Sequence, residues 1–226
     1  MESLLDRAAA RLFPDHAGHH GVLPPLLVVL TLVTGLVDAV SYLGLGRVFV
    51  ANMTGNVVFL GFALAGDHQL SATASLLAGG VFVVGALIGG RLAPRVPDDV
   101  RLFATLVGVH AALVAVALVG DLVEVSRYVL IGLLALGMGL QNAVVRKIAV
   151  PDFTTTVLTL TLTGIAADRP GPATVRRLIS VAAMFCGALA GGLLQIHQGT
   201  AWALAPAVVL LAAVALAAVR SVAKPA

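Results

Sequence analysis

The feature that most limits what this chain can fold into is a series of apolar segments, each close to the length that crosses a lipid bilayer. Eight of them can be read along the 226 residues, at 24–46, 48–66, 72–92, 101–119, 127–145, 150–167, 176–195 and 200–219. One membrane-spanning helix needs about 20 mainly apolar residues. Because the connections are short, the sequence predicts an all-α membrane fold in contact with the lipid bilayer, without a separate soluble domain.

Two of the eight segments are short and polar near the middle. Residues 48–66 contain Asn52, Thr54 and Asn56, and residues 150–167 contain six threonines. If all eight segments cross the membrane, the fourteen Lys and Arg residues divide eight to six between the two sides. If the two polar segments return to the side they entered from, only Arg47 and Arg127 lie outside. Short cytoplasmic loops are enriched in Lys and Arg, so this second distribution predicts six transmembrane helices plus two re-entrant or broken polar segments, with both termini cytoplasmic.

The chain also contains an internal repeat. Gly85-Ala-Leu-Ile-Gly-Gly90 returns as Gly187-Ala-Leu-Ala-Gly-Gly192, and Gly-Leu-Val-Asp38-Ala-Val parallels Gly-Leu-Gln-Asn142-Ala-Val. Three full spans per half give the second half the opposite orientation in the membrane. The sequence therefore predicts an inverted 3+3 repeat, with a cytoplasmic N-terminal segment at 1–23, a first membrane repeat at 24–119 and a second, inverted repeat at 127–219.

Asp38 and the polar segments are the candidate substrate- or ion-binding residues. A carboxylate at membrane depth is costly and by default marks a functional site, although Asp38 could instead cap the broken segment that follows it. Amide and hydroxyl groups both donate and accept hydrogen bonds, which suits a polar solute or a desolvated ion, but they also cap helix ends and bond to backbone. The remaining candidates are Asn52, Thr54, Asn56, Gln141, Asn142, Thr155, Thr156 and Thr159.

Two pairs of glycines one helical turn apart are candidate helix-packing positions. Gly85 and Gly89 form the first pair, and Gly187 and Gly191 form the second. Small residues at this spacing let two helix backbones approach closely. We expect packing within one chain, with a homodimer contact as the alternative use.

No metal, cofactor or nucleic acid is predicted. The cluster Asp15, His16, His19 and His20 has a spacing that could hold a metal, but a solvated tail is the expected state. His110, inside an apolar segment, is expected to be a packing residue rather than a proton relay. The basic residues lie singly or in small groups between apolar runs, which does not suit nucleic acid, and no catalytic motif is present, so the chain is not expected to be an enzyme.

Three runs carry a resemblance to a known family. They are Thr34-Gly-Leu-Val-Asp-Ala-Val-Ser-Tyr42, Ala51-Asn-Met-Thr-Gly-Asn56 and Thr155-Thr-Val-Leu-Thr159. Over most of residues 24–219 the chain resembles the YoaK family of bacterial inner-membrane proteins, a domain-of-unknown-function family, with Leu160 where the family usually has glycine after the threonine. The resemblance implies a multi-pass protein of the bacterial cytoplasmic membrane.

Three functions are weighed from these residues. The first is a small secondary transporter or permease that moves a small polar solute or ion by alternating access. The second is a non-transporting membrane scaffold or accessory subunit, whose polar segments only hold the helices together. An intramembrane enzyme is the weakest reading, because neither a nucleophile with its base nor a metal-binding set is visible.

Overall fold

The computed structural model describes residues 22–150 and 158–222, and in these ranges the chain is helical with no strand. The helices, numbered in chain order, are α1 (Leu23–Gly44), α2 (Met53–Leu64), α3 (Ala72–Leu92), α4 (Asp99–Leu122), α5 (Arg127–Ile148), α6 (Leu158–Ala167), α7 (Pro172–Gln198) and α8 (Thr200–Val222). A 3-10 turn at Ala93–Arg95 extends α3.

Six of these helices are long and apolar enough to cross a membrane, namely α1, α3, α4, α5, α7 and α8. A helix of 22 residues rises about 33 Å, which exceeds the roughly 30 Å hydrocarbon core. The 12 residues of α2 and the 10 of α6 fall well short of that thickness. The predicted all-α membrane fold, with six spanning helices and two shorter apolar ones, is confirmed for the described residues.

Local sequence signals explain where several helices begin. Pro24 lies in the first turn of α1, where its missing N–H costs nothing because first-turn donors have no partner within the helix. Ser71 caps α3 by accepting the N–H of Ala74, and the Asp98 carboxylate caps α4 by accepting the N–H of Val100.

The three helix pairs that pack most extensively join helices that are not consecutive in the chain. Helix α1 packs against α7, α3 against α5, and α4 against both α8 and α5, while α1 also contacts α8. Of the six long helices, α1 and α5 are the most deeply buried, so they form the centre of the bundle. The short helices lie at its margins, α2 against α3 and α6 against α7.

Close helix contacts are made at glycines. A Cβ atom at any of four glycines would overlap backbone atoms of the facing helix, because the two backbones are nearly touching. These contacts pair Gly187 with the carbonyl of Leu32, Gly35 with that of Met184, Gly85 with that of Leu136, and Gly139 with that of Phe82. Gly191 and Gly89 extend the same seams, against Leu36 and Ala143. The glycines that the sequence analysis named as packing positions all contact a facing helix of the same chain; they are Gly85, Gly89, Gly187 and Gly191.

The outer surface of the bundle is covered by large apolar side chains. Leu64, Val57 and Leu160 are at least 72% exposed, and Phe185 and Trp202 are about two-thirds exposed. Such a continuous apolar surface would be unfavourable in water but matches the hydrocarbon of a bilayer. The exposed faces therefore agree with the helix lengths in assigning this chain to the membrane.

Candidate functional site

Asp38 holds a non-helical segment in place beside α1. After α1 ends at Gly44, the chain turns through Gly46 and Arg47, both with positive φ, and runs back along α1. One carboxylate oxygen of Asp38, Oδ1, accepts the N–H of Val50 at 3.0 Å and that of Ala51 at 2.8 Å. Asp38 lies six residues before the end of α1, about 9 Å along the helix. The carboxylate thus accepts hydrogen bonds from the backbone N–H groups of Val50 and Ala51, which are not helical and so lack the partners that a helix provides.

Asn56 closes the turn between this segment and α2. Its side-chain oxygen accepts the N–H of Phe49 at 2.9 Å, and its side-chain nitrogen donates to the carbonyl of Phe49 at 2.6 Å. The residue is only 3% exposed. Both functional ends of the Asn56 amide are therefore used to fix the backbone of one residue, which is a structural task.

Two other residues of the Ala51–Asn56 run have structural roles, one in capping α2 and one in packing. Asn52 caps α2 by accepting the N–H of Gly55. A side chain at Gly55 would collide with the ring of Phe49, which lies directly against it. Asn52, Gly55 and Asn56 of this motif therefore hold the extended segment against the start of α2.

Three aromatic rings stack beside Asp38. The ring of Phe49 is nearly parallel to those of Tyr42 and Phe59, with centroid distances of 5.1 Å and 5.6 Å. The rings of Tyr42 and Phe59 are 5.9 Å apart and tilted. These separations suit attractive ring contacts. The aromatic cluster, meaning Tyr42, Phe49 and Phe59, joins α1, the extended segment and α2 into one wall.

This wall bounds a cavity of about 770 Å³. Its other walls come from α3, from the start of α6 and from α7. The described lining residues are Thr34, Gly35, Asp38, Ala39, Tyr42, Leu43, Phe49, Ala51, Asn52, Met53, Thr54, Gly55, Val58, Phe59, Phe82, Leu158, Thr159, Met184 and Ala188. Cavities of this size accommodate small organic ligands, and a mainly apolar wall with a few placed polar groups is typical of such sites.

The structure brings together some of the candidate residues and separates others. Asp38, Asn52 and Thr54 line the cavity from the first half of the chain, and Thr159 lines it from the second. Asn56, Gln141 and Asn142 are not among the lining residues. Thr155 and Thr156, like the cluster Asp15, His16, His19 and His20, lie outside the described residues. The binding roles of all these residues stay predictions.

Gln141 and His110 belong to a buried polar contact behind the cavity. The Gln141 side-chain nitrogen donates to Thr34 Oγ1 at 3.0 Å, and both residues are fully buried. His110 lies beside Gln141 with its ring against Gly137. Thr34 lines the cavity, so the hydrogen bond to the Thr34 hydroxyl connects Gln141 to the cavity lining. On α5, Asn142 donates back to the carbonyl of Met138.

Sequence reasoning missed the aromatic cluster and the packing role of Gly35 and Gly139. The three rings have aliphatic neighbours such as Leu43, Val48 and Val58 in the sequence, so nothing in the pattern distinguishes them from lipid-facing positions. The two glycines did carry a signal, because each begins a copy of the repeated motif, three residues before Asp38 or Asn142.

The helix lengths and the apolar outer surface define a multi-pass α-helical membrane protein. The chain belongs to the family described as protein of unknown function (DUF1275), which matches residues 26–217. It is 35% identical over 152 residues to the UPF0700 transmembrane protein YoaK of Bacillus subtilis (strain 168), an alignment that covers 65% of this chain and 67% of that protein. The resemblance to the YoaK family is thereby confirmed. No solved structure matches the chain.

Proposed function

We propose that the protein is a small secondary transporter that moves a small polar solute or ion across the bacterial cytoplasmic membrane by alternating access. The observation that carries the proposal is the cavity, which polar residues from both halves of the chain line. Asp38, Asn52 and Thr54 contribute from the first half and Thr159 from the second. In many secondary transporters, binding sites lie between two repeats and beside broken helices.

The glycine contacts support an inverted repeat. Residues of α1 correspond to residues of α5 at an offset of 104, and residues of α3 correspond to residues of α7 at an offset of 102. Under these offsets, the contact of Gly187 with Leu32 becomes that of Gly85 with Leu136. The contact of Gly35 with Met184 likewise becomes that of Gly139 with Phe82. Such correspondence is expected of two halves related by a two-fold axis, whose relative rocking would expose the cavity to each side in turn.

Contacts between helix ends support six spans with both termini cytoplasmic. They group the loops into two sets, one on each side of the bundle. In one set Arg47 bonds to Gln69, Arg127 lies against Gly46, and Asp121 accepts the N–H of Ala201; in the other, Lys147 pairs with Asp99. The two basic residues that the charge rule places outside, Arg47 and Arg127, belong to the same set. In this arrangement α2 and its extended segment re-enter from the outer side.

A non-transporting scaffold or accessory subunit is the second candidate, and a specific observation favours it. Asn56 uses its whole amide on Phe49, and Asp38 Oδ1 accepts two backbone donors. Polar groups engaged in this way stabilise the fold without any solute. The two candidates differ in whether the cavity is used.

An uptake screen with a cavity-blocking variant tests the proposal. Purified protein in liposomes is assayed against a panel of small solutes and ions, with empty liposomes as the reference. Thr54→Trp fills the cavity from an exposed position, and Val57→Trp adds the same bulk three residues away on a 72% exposed position outside the lining. We expect Thr54→Trp to slow uptake about tenfold or more and Val57→Trp to leave it within about twofold. Uptake equal to that of empty liposomes for every solute would favour the scaffold.

A further inference from the structure

The sign of the charge in the cavity is set by Asp38. Among the described residues that line it, Asp38 is the charged one. Residues 151–157, which precede the lining residues Leu158 and Thr159 in the chain, read Pro-Asp-Phe-Thr-Thr-Thr-Val and include no basic side chain. When Asp38 is ionised, the described lining of the cavity therefore favours a positively charged group.

The start of α2 also faces the cavity, and a helix N-terminus with free N–H groups attracts anions. Two of these groups have partners within the chain. The N–H of Met53 donates to the carbonyl of Ala51 at 3.1 Å, and that of Gly55 to Asn52 Oδ1 at 3.4 Å. A helix end is equivalent to about half a unit charge, which is less than the unit charge of an ionised Asp38 carboxylate. The net charge of these two groups is therefore negative.

The aromatic cluster lies next to this carboxylate. Tyr42 follows Asp38 by four residues on α1, which places the two side chains on the same face of the helix. Phe49 immediately precedes Val50, whose N–H donates to Asp38. Aromatic ring faces attract cations, and they also supply apolar contact area. A carboxylate with adjacent rings is therefore suited to an ion that is both charged and organic.

The size and lining of the cavity distinguish an organic cation from a metal ion. A cation such as Ca²⁺ requires six to eight oxygen ligands within about 2.6 Å. The described lining is mostly apolar, with alanine, leucine, methionine and phenylalanine side chains around a volume of about 770 Å³. This volume exceeds what a bare ion fills and is in the range of organic ligands.

We propose that the cavity binds a small organic monocation, an amine or quaternary ammonium ion with an apolar or aromatic body. The cationic group pairs with Asp38 and the body packs against the aromatic cluster. The proposal rests on the proposed transport function for its biological role, while binding itself is measured separately.

Calorimetry on the purified full chain in detergent tests the proposal with four probes of similar size. Phenethylammonium and benzyltrimethylammonium are the cations, 2-phenylethanol is the neutral control and 3-phenylpropionate is the anionic control. We expect both cations to bind at least about tenfold more tightly than either control, because only they pair with the carboxylate. Equal affinity for the alcohol or the anion, or no binding of any probe, would overturn the proposal.

Two variants assign the binding to the cavity. Asp38→Asn keeps an oxygen to accept the N–H groups of Val50 and Ala51 and removes the charge, so cation affinity falls about tenfold or more while 2-phenylethanol binding stays within about twofold. Thr54→Lys, at an exposed lining position, adds an opposing charge and has the same effect on the cations even if Asp38→Asn does not fold. Unchanged cation affinity in a folded variant of either kind contradicts the proposal.

The uptake screen separates this inference from the proposed function. One outcome is that neutral or anionic solutes are taken up, that Thr54→Trp blocks this uptake, and that no cation binds. This outcome would support the transport function and contradict the proposal that the cavity binds an organic cation. Cation binding lost in Asp38→Asn, without uptake of any solute, would uphold the inference and contradict transport.

Discussion

At the scale of single residues, Asp38 combines two tasks that can be separated. Its Oδ1 atom satisfies two backbone N–H groups at membrane depth, where an unpaired donor loses several kcal/mol. The residue also lines the cavity. Asn142 occupies the corresponding position of the second half, so an amide of the same shape fits the equivalent helix position. The acceptor is needed for the fold, and the charge is available for function.

Substitutions of Asp38 by asparagine and by leucine should therefore have different effects. Asp38→Asn retains an acceptor and is expected to change stability by less than about 1 kcal/mol, whereas Asp38→Leu leaves two donors unpaired and costs roughly 2–5 kcal/mol. Thermal unfolding in detergent measures this difference. In liposomes, Asp38→Asn should abolish proton- or cation-driven accumulation. Accumulation that persists unaltered in Asp38→Asn would remove the carboxylate from the coupling mechanism.

Replacing Asn56 is expected to lower the stability of the fold. Replacing it with leucine leaves the N–H and the carbonyl of Phe49 without their partner, which costs roughly 2–4 kcal/mol. Val57→Leu, at the adjacent lipid-facing position, is the control and should change little. The melting temperatures of the two variants in detergent are compared with uptake per folded molecule. If Asn56→Leu melts like the control and loses uptake, Asn56 binds solute as the sequence predicted.

At the scale of helices, two seams dominate the packing, α1 with α7 and α3 with α5. In a bilayer, lipid tails compete equally well for apolar side chains, so association depends on close backbone approach at small residues. Gly139 and Gly85 provide it on one seam, and Gly35 and Gly187 on the other. The cavity lies beside both seams, because Gly35 and Phe82 belong to its lining.

A methyl group at the seam should separate α3 from α5. Gly139→Ala places a Cβ atom against the carbonyl of Phe82 and the Cα of Gly85, and we expect a loss of about 2–4 kcal/mol. Gly132→Ala on the same helix is the matched control, because no atom lies within 4 Å of its added Cβ. Alanine there should be neutral or slightly stabilising. Equal melting temperatures for the two variants in detergent would show that the seam tolerates added bulk.

At the scale of the whole molecule, the sequence predicted the six spanning helices because their length and apolarity follow from bilayer thickness alone. It also identified Asp38, Asn52, Thr54 and Thr159 as polar groups at depth. It could not separate Asn52, which lines the cavity, from Asn56, which bonds to Phe49, since that depends on how the extended segment folds back. The aromatic cluster was not predicted because aliphatic residues flank its rings in the sequence, as they flank lipid-facing side chains.

The arrangement of the chain in the membrane can be tested with single cysteines. Cys186 is the only native cysteine and is replaced first by alanine. The charge distribution places the loop of Pro97, between α3 and α4, in the cytoplasm and the loop of Glu124, between α4 and α5, outside. Both positions are exposed in the structure, so each introduced thiol is accessible to a reagent on its own side.

An impermeant maleimide should therefore label Glu124→Cys in intact cells and Pro97→Cys only after the membrane has been opened. Labelling of both after opening is the control for accessibility. Reporter fusions at the two termini should behave as cytoplasmic, because six spans return the chain to the side on which it begins. Labelling of Pro97→Cys in intact cells would contradict the six-span orientation, and with it the assignment of α2 as a segment that re-enters from outside.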